Sequence, residues 1–125
     1  MFANVDRRQV ETDLRSRDLP VDRFTSPYAS LCVDTVEHRV LMDTGAGSLL
    51  PTTGRLATHL RRAGIEPAQI DMVIITHEHP DHVDGLLHED GTPVYPNARI
   101  YSTAAEWDFW LGDDAPIQHL SLIHI

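Results

Sequence analysis

The chain contains no lysine: its ten basic residues are all arginine. Arginine at the expense of lysine is what GC-rich coding DNA produces, and a bacterial source of that kind is expected. It holds one cysteine, Cys32. No intrachain disulfide can form, and a thiolate zinc cluster is excluded. Leu31 and Val33 flank Cys32, which reads as a packed strand residue rather than a nucleophile. No apolar run approaches the length of a membrane span, so no membrane partner is expected. The N-terminus carries charges from Asp6 onward and no hydrophobic segment, so no signal peptide is visible and the default compartment is cytoplasmic.

Charge is present but unevenly placed. Residues 1–62 hold 8 acids against 9 arginines, whereas residues 63–125 hold 11 acids against Arg99 alone. An acidic half of that kind suits cation capture and argues against a nucleic-acid partner.

That acidic half contains the most informative segment, Thr76-His77-Glu78-His79-Pro80-Asp81-His82-Val83-Asp84-Gly85. Three of the chain's eight histidines fall within six residues, directly after the apolar run Met72-Val73-Ile74-Ile75-Thr76. Imidazoles with a carboxylate are the donors a borderline ion such as zinc takes. The apolar run reads as a strand buried on both faces. Side chains of an extended chain alternate, so His77 and His79 point to one side and can reach one ion, with Glu78 turned away. Pro80 bars a helix through this point and favours a tight loop. Asp81 and His82 on that loop can serve a second ion. Asp84 is expected to cap the next turn, and Gly85 to allow close backbone approach.

These residues resemble the signature of the metallo-β-lactamase fold superfamily. Val40-Leu41-Met42-Asp43-Thr44-Gly45-Ala46-Gly47 resembles the strand and Asp-Thr-Gly turn that precede that signature. Gly45-Ala46-Gly47, Pro51-Thr52-Thr53-Gly54-Arg55-Leu56 and Phe109-Trp110-Leu111 are similar to the branch of N-acyl-homoserine lactonases and methyl-parathion-hydrolase-like enzymes. The resemblance spans roughly residues 28–112. It implies an α/β fold, an αββα sandwich about twice this length, of which the chain would be the N-terminal half. It implies two zinc ions, other divalent metals being alternatives, held by His77, His79, Asp81 and His82. Asp81 would also hold the nucleophile's proton, and Asp43 would support the site from behind the ligands. The family completes its sites with donors farther along the chain. His88, His119 and His124 stand in no recognisable version of those later motifs.

Around the motif, residues 1–23 read as an exposed lead segment, 24–115 as a partial domain and 116–125 as an atypical tail resembling an assembly artefact. Tyr28–Thr35 and Val40–Met42 are predicted to form a β-hairpin. Residues 54–63 are predicted helical, with Leu56, Leu60 and Ala63 on one face, Gly64 ending the helix and Pro67 opening a short turn. Residues 98–102 are a further strand. A helix capped by Ser102 or Thr103 follows, with Glu106 near its positive end and Trp107, Phe109 and Trp110 expected in the core.

The leading function is a metal-dependent hydrolase attacking a lactone or other ester-like small molecule, with phosphotriesters second and thioesters and β-lactams open. The alternative is a non-catalytic metal-binding fragment, poorly stable, with an exposed apolar face and weak zinc affinity. A flavo-diiron protein shares the fold, and Glu78 occupies the place where such variants carry a glutamate.

Overall fold

The computed structural model of the protein describes residues 4–23 and 25–112. Helix α1 (Arg7–Ser16) begins at Asp6, whose carboxylate accepts from the Arg8 N–H, and it buries none of its residues. Strands β1 (Leu31–Asp34) and β2 (Arg39–Met42) form the predicted antiparallel hairpin. β1 starts three residues later than the apolar pattern suggests. Thr35 closes the turn, its hydroxyl donating to the His38 carbonyl and accepting from the His38 N–H.

Helix α2 (Leu56–Arg62) ends as its sequence predicts. Gly64 takes φ +80°. Its N–H donates to the Arg61 carbonyl and that of Ile65 to the Leu60 carbonyl. This pattern satisfies the last carbonyls of a helix and is open at low cost to glycine. A 3₁₀ turn (Pro67–Gln69) follows, with Pro67 in its first position and Glu66 and Gln69 bonded reciprocally. Strand β3 (Met72–Ile74), the one-turn helix α3 (Pro80–Val83) with a 3₁₀ turn (Asp84–Leu86) after it, strand β4 (Arg99–Tyr101) and helix α4 (Ala104–Leu111) complete the described elements.

The strands form one mixed sheet in the order β1-β2-β3-β4, with β3 parallel to both β2 and β4. Parallel neighbours need crossovers, and α2 lies in the first of these. Leu41, Val73 and Ile75 project from the same sheet face into a cluster with Leu60 of α2, Ile70 and Tyr95. Leu41, Ile70 and Val73 are fully buried, each contributing about 1.5–3 kcal/mol of apolar transfer free energy. Half-buried Cys32 packs against this cluster, and burial chiefly pushes its thiol above the ordinary range, which suits a packing role.

The expectation that β3 is buried on both faces is overturned. Ile74 points to the other face and is 37% exposed, as are Leu31, Val33 and Tyr101 to similar or greater degrees. That face is partly open, with Val40, Met42 and Met72 half-buried, whereas Leu60 of α2 and Tyr95 pack against the first. No helix among the described residues is long and apolar enough to cross a membrane.

Candidate metal centre

The histidine motif begins where β3 ends, and the turn after β2 is bonded to it. The Asp43 N–H continues the ladder to the Ile74 carbonyl at 3.0 Å. The residue then adopts φ +58°, a left-handed conformation that aspartate tolerates better than most side chains. Its carboxylate accepts from the Thr76 N–H at 2.8 Å and from the Thr76 hydroxyl. Buried Thr44 donates its N–H and its hydroxyl to the His82 carbonyl at 2.9 and 2.8 Å. The Gly85 N–H donates to the Gly45 carbonyl at 3.1 Å. A Cβ at Gly85 would run into the Thr44 carbonyl, so close approach requires glycine there. These bonds lock the Asp-Thr-Gly turn to both ends of the motif.

The rings converge. His77 and His79 have centroids 4.7 Å apart and edge-on, and His77 and His82 lie 3.8 Å apart. His82 and Asp81 face each other, Nε2 to Oδ2, at 3.6 Å. The structure differs from expectation at Pro80. Proline lacks the N–H that a first helical residue leaves unbonded, so it opens α3 with His79 as the N-cap. Asp81 and His82 therefore sit on the first turn of a helix, not on a loop. Asp84 ends α3, its backbone N–H donating to the Pro80 carbonyl; burial, then the neighbouring Asp81, raises its carboxyl above the usual range.

Two contacts bear on ring protonation. The Thr76 hydroxyl donates to Asp43, and its oxygen lies 3.2 Å from His77 Nδ1. With the hydroxyl proton committed, His77 Nδ1–H is the donor and Nε2 is left as a free lone pair. His82 Nδ1 lies 2.9 Å from Asp43 Oδ2, yet it is buried without an aligned hydrogen-bond partner. A carboxylate at that atom favours the proton on Nδ1 and again frees Nε2, which faces Asp81. Burial pushes the Asp43 carboxyl up, but the Thr76 N–H, the His82 ring and the Thr76 hydroxyl outweigh it and hold it below the usual range.

The donor chemistry fits a borderline divalent ion. Among the described residues, however, no three His, Cys, Asp or Glu side chains form a group that could hold one. His77 lies nearer to the His82 ring than to that of His79, and Asp81 faces His82. His88 and His59 are exposed, and His119 and His124 lie outside the described residues. An open cleft of about 360 Å³ is lined by Tyr28, Ser30, Asp43 and Gly45 as well as Asp81 and His82. A larger cavity beside α2 carries none of the motif side chains.

Sequence reasoning missed three residues. Thr76 and Thr44 belong to the bonded frame. Glu106 accepts from the Glu78 N–H at 2.9 Å and from Trp110 Nε1 at 3.1 Å. The Glu78 N–H chiefly, with Trp110 and the two nearby histidines, holds the Glu106 carboxyl below its usual range. Trp110 also meets the His79 ring edge-on at 5.9 Å. The expected core role of the aromatic helix is overturned: α4 buries no residue, and Trp107 and Phe109 are 59% and 54% exposed. The available signal was the i, i+4 spacing of Glu106 and Trp110, which puts both on one helix face.

Residues 24–121 match the family model described as the metallo-beta-lactamase superfamily. AidC, a dizinc quorum-quenching lactonase solved with a product, N-hexnoyl-L-homoserine, superposes with a TM-score of 0.82 at 31% identity over 91% of this chain. The hydrolase AbOPH, of the beta lactamase superfamily, superposes with a TM-score of 0.72 at 28% identity over 87% of this chain. The chain spans 38% of each of those structures. Ribonuclease Z of Aeropyrum pernix is 36% identical over 56 residues, which are 45% of this chain and 16% of that protein.

Proposed function

The chain belongs to the metallo-beta-lactamase superfamily of hydrolases, and on that premise we propose that it carries the first ligands of a dinuclear zinc site that hydrolyses a lactone or similar ester. His77 and His79 would hold one ion, and Asp81 and His82 the other. When bound, such ions supply Lewis acidity, lowering the pKa of water and polarising an acyl or phosphoryl oxygen. The chain's own residues do the rest. Thr76 contacts Nδ1 of His77 and Asp43 lies against Nδ1 of His82, which leaves the two Nε2 atoms available to a metal. Asp43 would orient His82 from its Nδ1 side, and Asp81 would take the proton of the attacking water. The cleft beside Asp81 and His82 admits a small substrate.

The observation that carries this reading is the convergence of His77, His79 and His82 with Asp43 behind His82. The lactone preference is supported by the likeness to the dizinc lactonase. A phosphotriester is the next substrate class. The ribonuclease Z match raises a nucleic-acid reading, but the acidic half that carries the motif repels a polyanion. Two protein donors per ion fall short of the three a catalytic zinc ordinarily has. The described residues alone therefore hold the ions weakly, and useful turnover needs donors from outside them.

Calorimetric titration of the chain with zinc tests the site. Weak, chelator-reversible binding is expected, lost in the His77→Ala/His79→Ala double variant. No binding, or binding indifferent to those changes, would overturn the assignment. The substrate class is tested on a zinc-loaded version of the protein extended to supply those further donors, with a lactone, a phosphotriester and an RNA oligomer, each against a zinc-only blank. The lactone is expected to be cleaved fastest, with the rate falling to the blank in Asp81→Asn; preferential RNA cleavage would refute the lactone reading.

A further inference from the structure

We propose that Glu106 is a positioning residue that clamps the His77-Glu78-His79 segment from α4, holding both imidazoles on one side. The need for a clamp follows from the backbone. Past Ile75 the segment has left the sheet: the last ladder bond on this side runs from the Ile75 N–H to the Tyr101 carbonyl at 2.8 Å. The Glu78 N–H therefore has no strand partner, and a half-buried N–H must find one elsewhere. It finds the Glu106 carboxylate at 2.9 Å. That bond sets the plane of the peptide joining His77 to Glu78. Were this peptide free to rotate, the alternation that brings His77 and His79 together would be lost, because the two rings share a side only while the three residues stay extended.

The clamp is itself held in place. β4 pairs with β3, so the chain leaving β4 passes the end of β3 where the motif lies. Thr103 caps α4, its hydroxyl accepting from the Glu106 N–H at 3.2 Å. One turn on, the Trp110 indole N–H donates to the same Glu106 oxygen that receives the Glu78 N–H. The indole also lies edge-on against the His79 ring. One carboxylate oxygen thus gathers the motif backbone and an aromatic ring that abuts one of the motif histidines. Glu106 is 28 residues from Glu78 in sequence, so this is a tertiary device.

The inference rests on the metal reading only in its last step, that the clamp sustains metal affinity. The test therefore has two arms, run on the whole chain for wild type, Glu106→Ala, Glu106→Gln and Trp110→Phe. In the first arm, amide hydrogen exchange at Glu78 is followed without metal. Glu106→Ala is expected to speed exchange about tenfold or more, while the buried Val73 amide is unchanged. Glu106→Gln keeps an oxygen that can accept both N–H groups and should restore the wild-type rate within about threefold. Trp110→Phe should fall between the two. In the second arm, cobalt(II) is titrated and its d–d absorption read. Glu106→Ala should weaken binding about 10–100-fold, as the loss of a group orienting metal ligands ordinarily does, and Glu106→Gln should not. Unchanged Glu78 exchange in Glu106→Ala overturns the clamp. Faster exchange with unchanged cobalt affinity overturns its positioning role. If wild type takes no cobalt, the metal reading fails and the exchange arm alone decides the clamp.

Discussion

Helix α2 has a sparse apolar face and buries it, whereas α4 is crowded with apolar side chains and buries none of them. In α2 the residues are Leu56 and Leu60, four apart, and Leu60 is 6% exposed against Leu41, Val73 and Tyr95. In α4, Trp107, Phe109 and Leu111 stand largely in solvent, and the inward contacts come from Glu106 and one edge of Trp110. Apolar content alone therefore does not set burial. α2 lies within a crossover between parallel strands and packs onto the sheet. α4 follows β4, at one end of the strand order, and touches the rim where the motif lies. The first helix packs into the core and the second bonds to the motif backbone.

Leu60→Ala should break the contrast most visibly. Removing a buried leucine opens a cavity, and a loss of about 2–4 kcal/mol in unfolding free energy is expected from urea denaturation. A loss below about 1 kcal/mol would mean that α2 is not the anchor described.

Alkaline pH sharpens the same side of the comparison. Burial, chiefly, pushes the Tyr95 phenol from 10.0 up to about 12. A raised folded pKa means that the folded state favours the protonated phenol. The stability it contributes is complete below pH 10 and is lost as pH rises through 12, up to about 2 kcal/mol. Tyr95→Phe should remove this portion of the alkaline loss, leaving whatever the other ionisable groups contribute. A variant as sensitive as wild type between pH 10 and 12 would assign the effect elsewhere.

The smallest effect belongs to α4. Trp107→Ala and Phe109→Ser should each leave thermal stability within about 0.5 kcal/mol of wild type, as exposed positions do. A loss above about 1.5 kcal/mol in either would show that the aromatic helix is packed after all, as its composition suggests.

What could be read from the sequence is what short-range geometry dictates. The hairpin, the Gly64 stop, the Pro67 turn and the shared side of His77 and His79 each depend on a few consecutive residues. Asp43 beside the motif was legible only through the resemblance to a family, since 33 residues separate it from Thr76. The one-sided burial of β3 and the solvent-facing aromatics of α4 were not legible. An apolar run has the same appearance whether its second face is covered or open.

By itself, the sequence determined the alternation of the motif histidines, the termination of α2, the donor chemistry of the candidate centre and the acidity around it. All of these follow from local periodicity and side-chain type. Only the tertiary structure decided that Pro80 begins a helix, that Thr44 holds the His82 carbonyl, and that Glu106 reaches back to the Glu78 N–H. The reason is physical. A backbone N–H must be satisfied somewhere, but which distant acceptor satisfies it depends on how the strands are ordered, and here β4 lies next to β3.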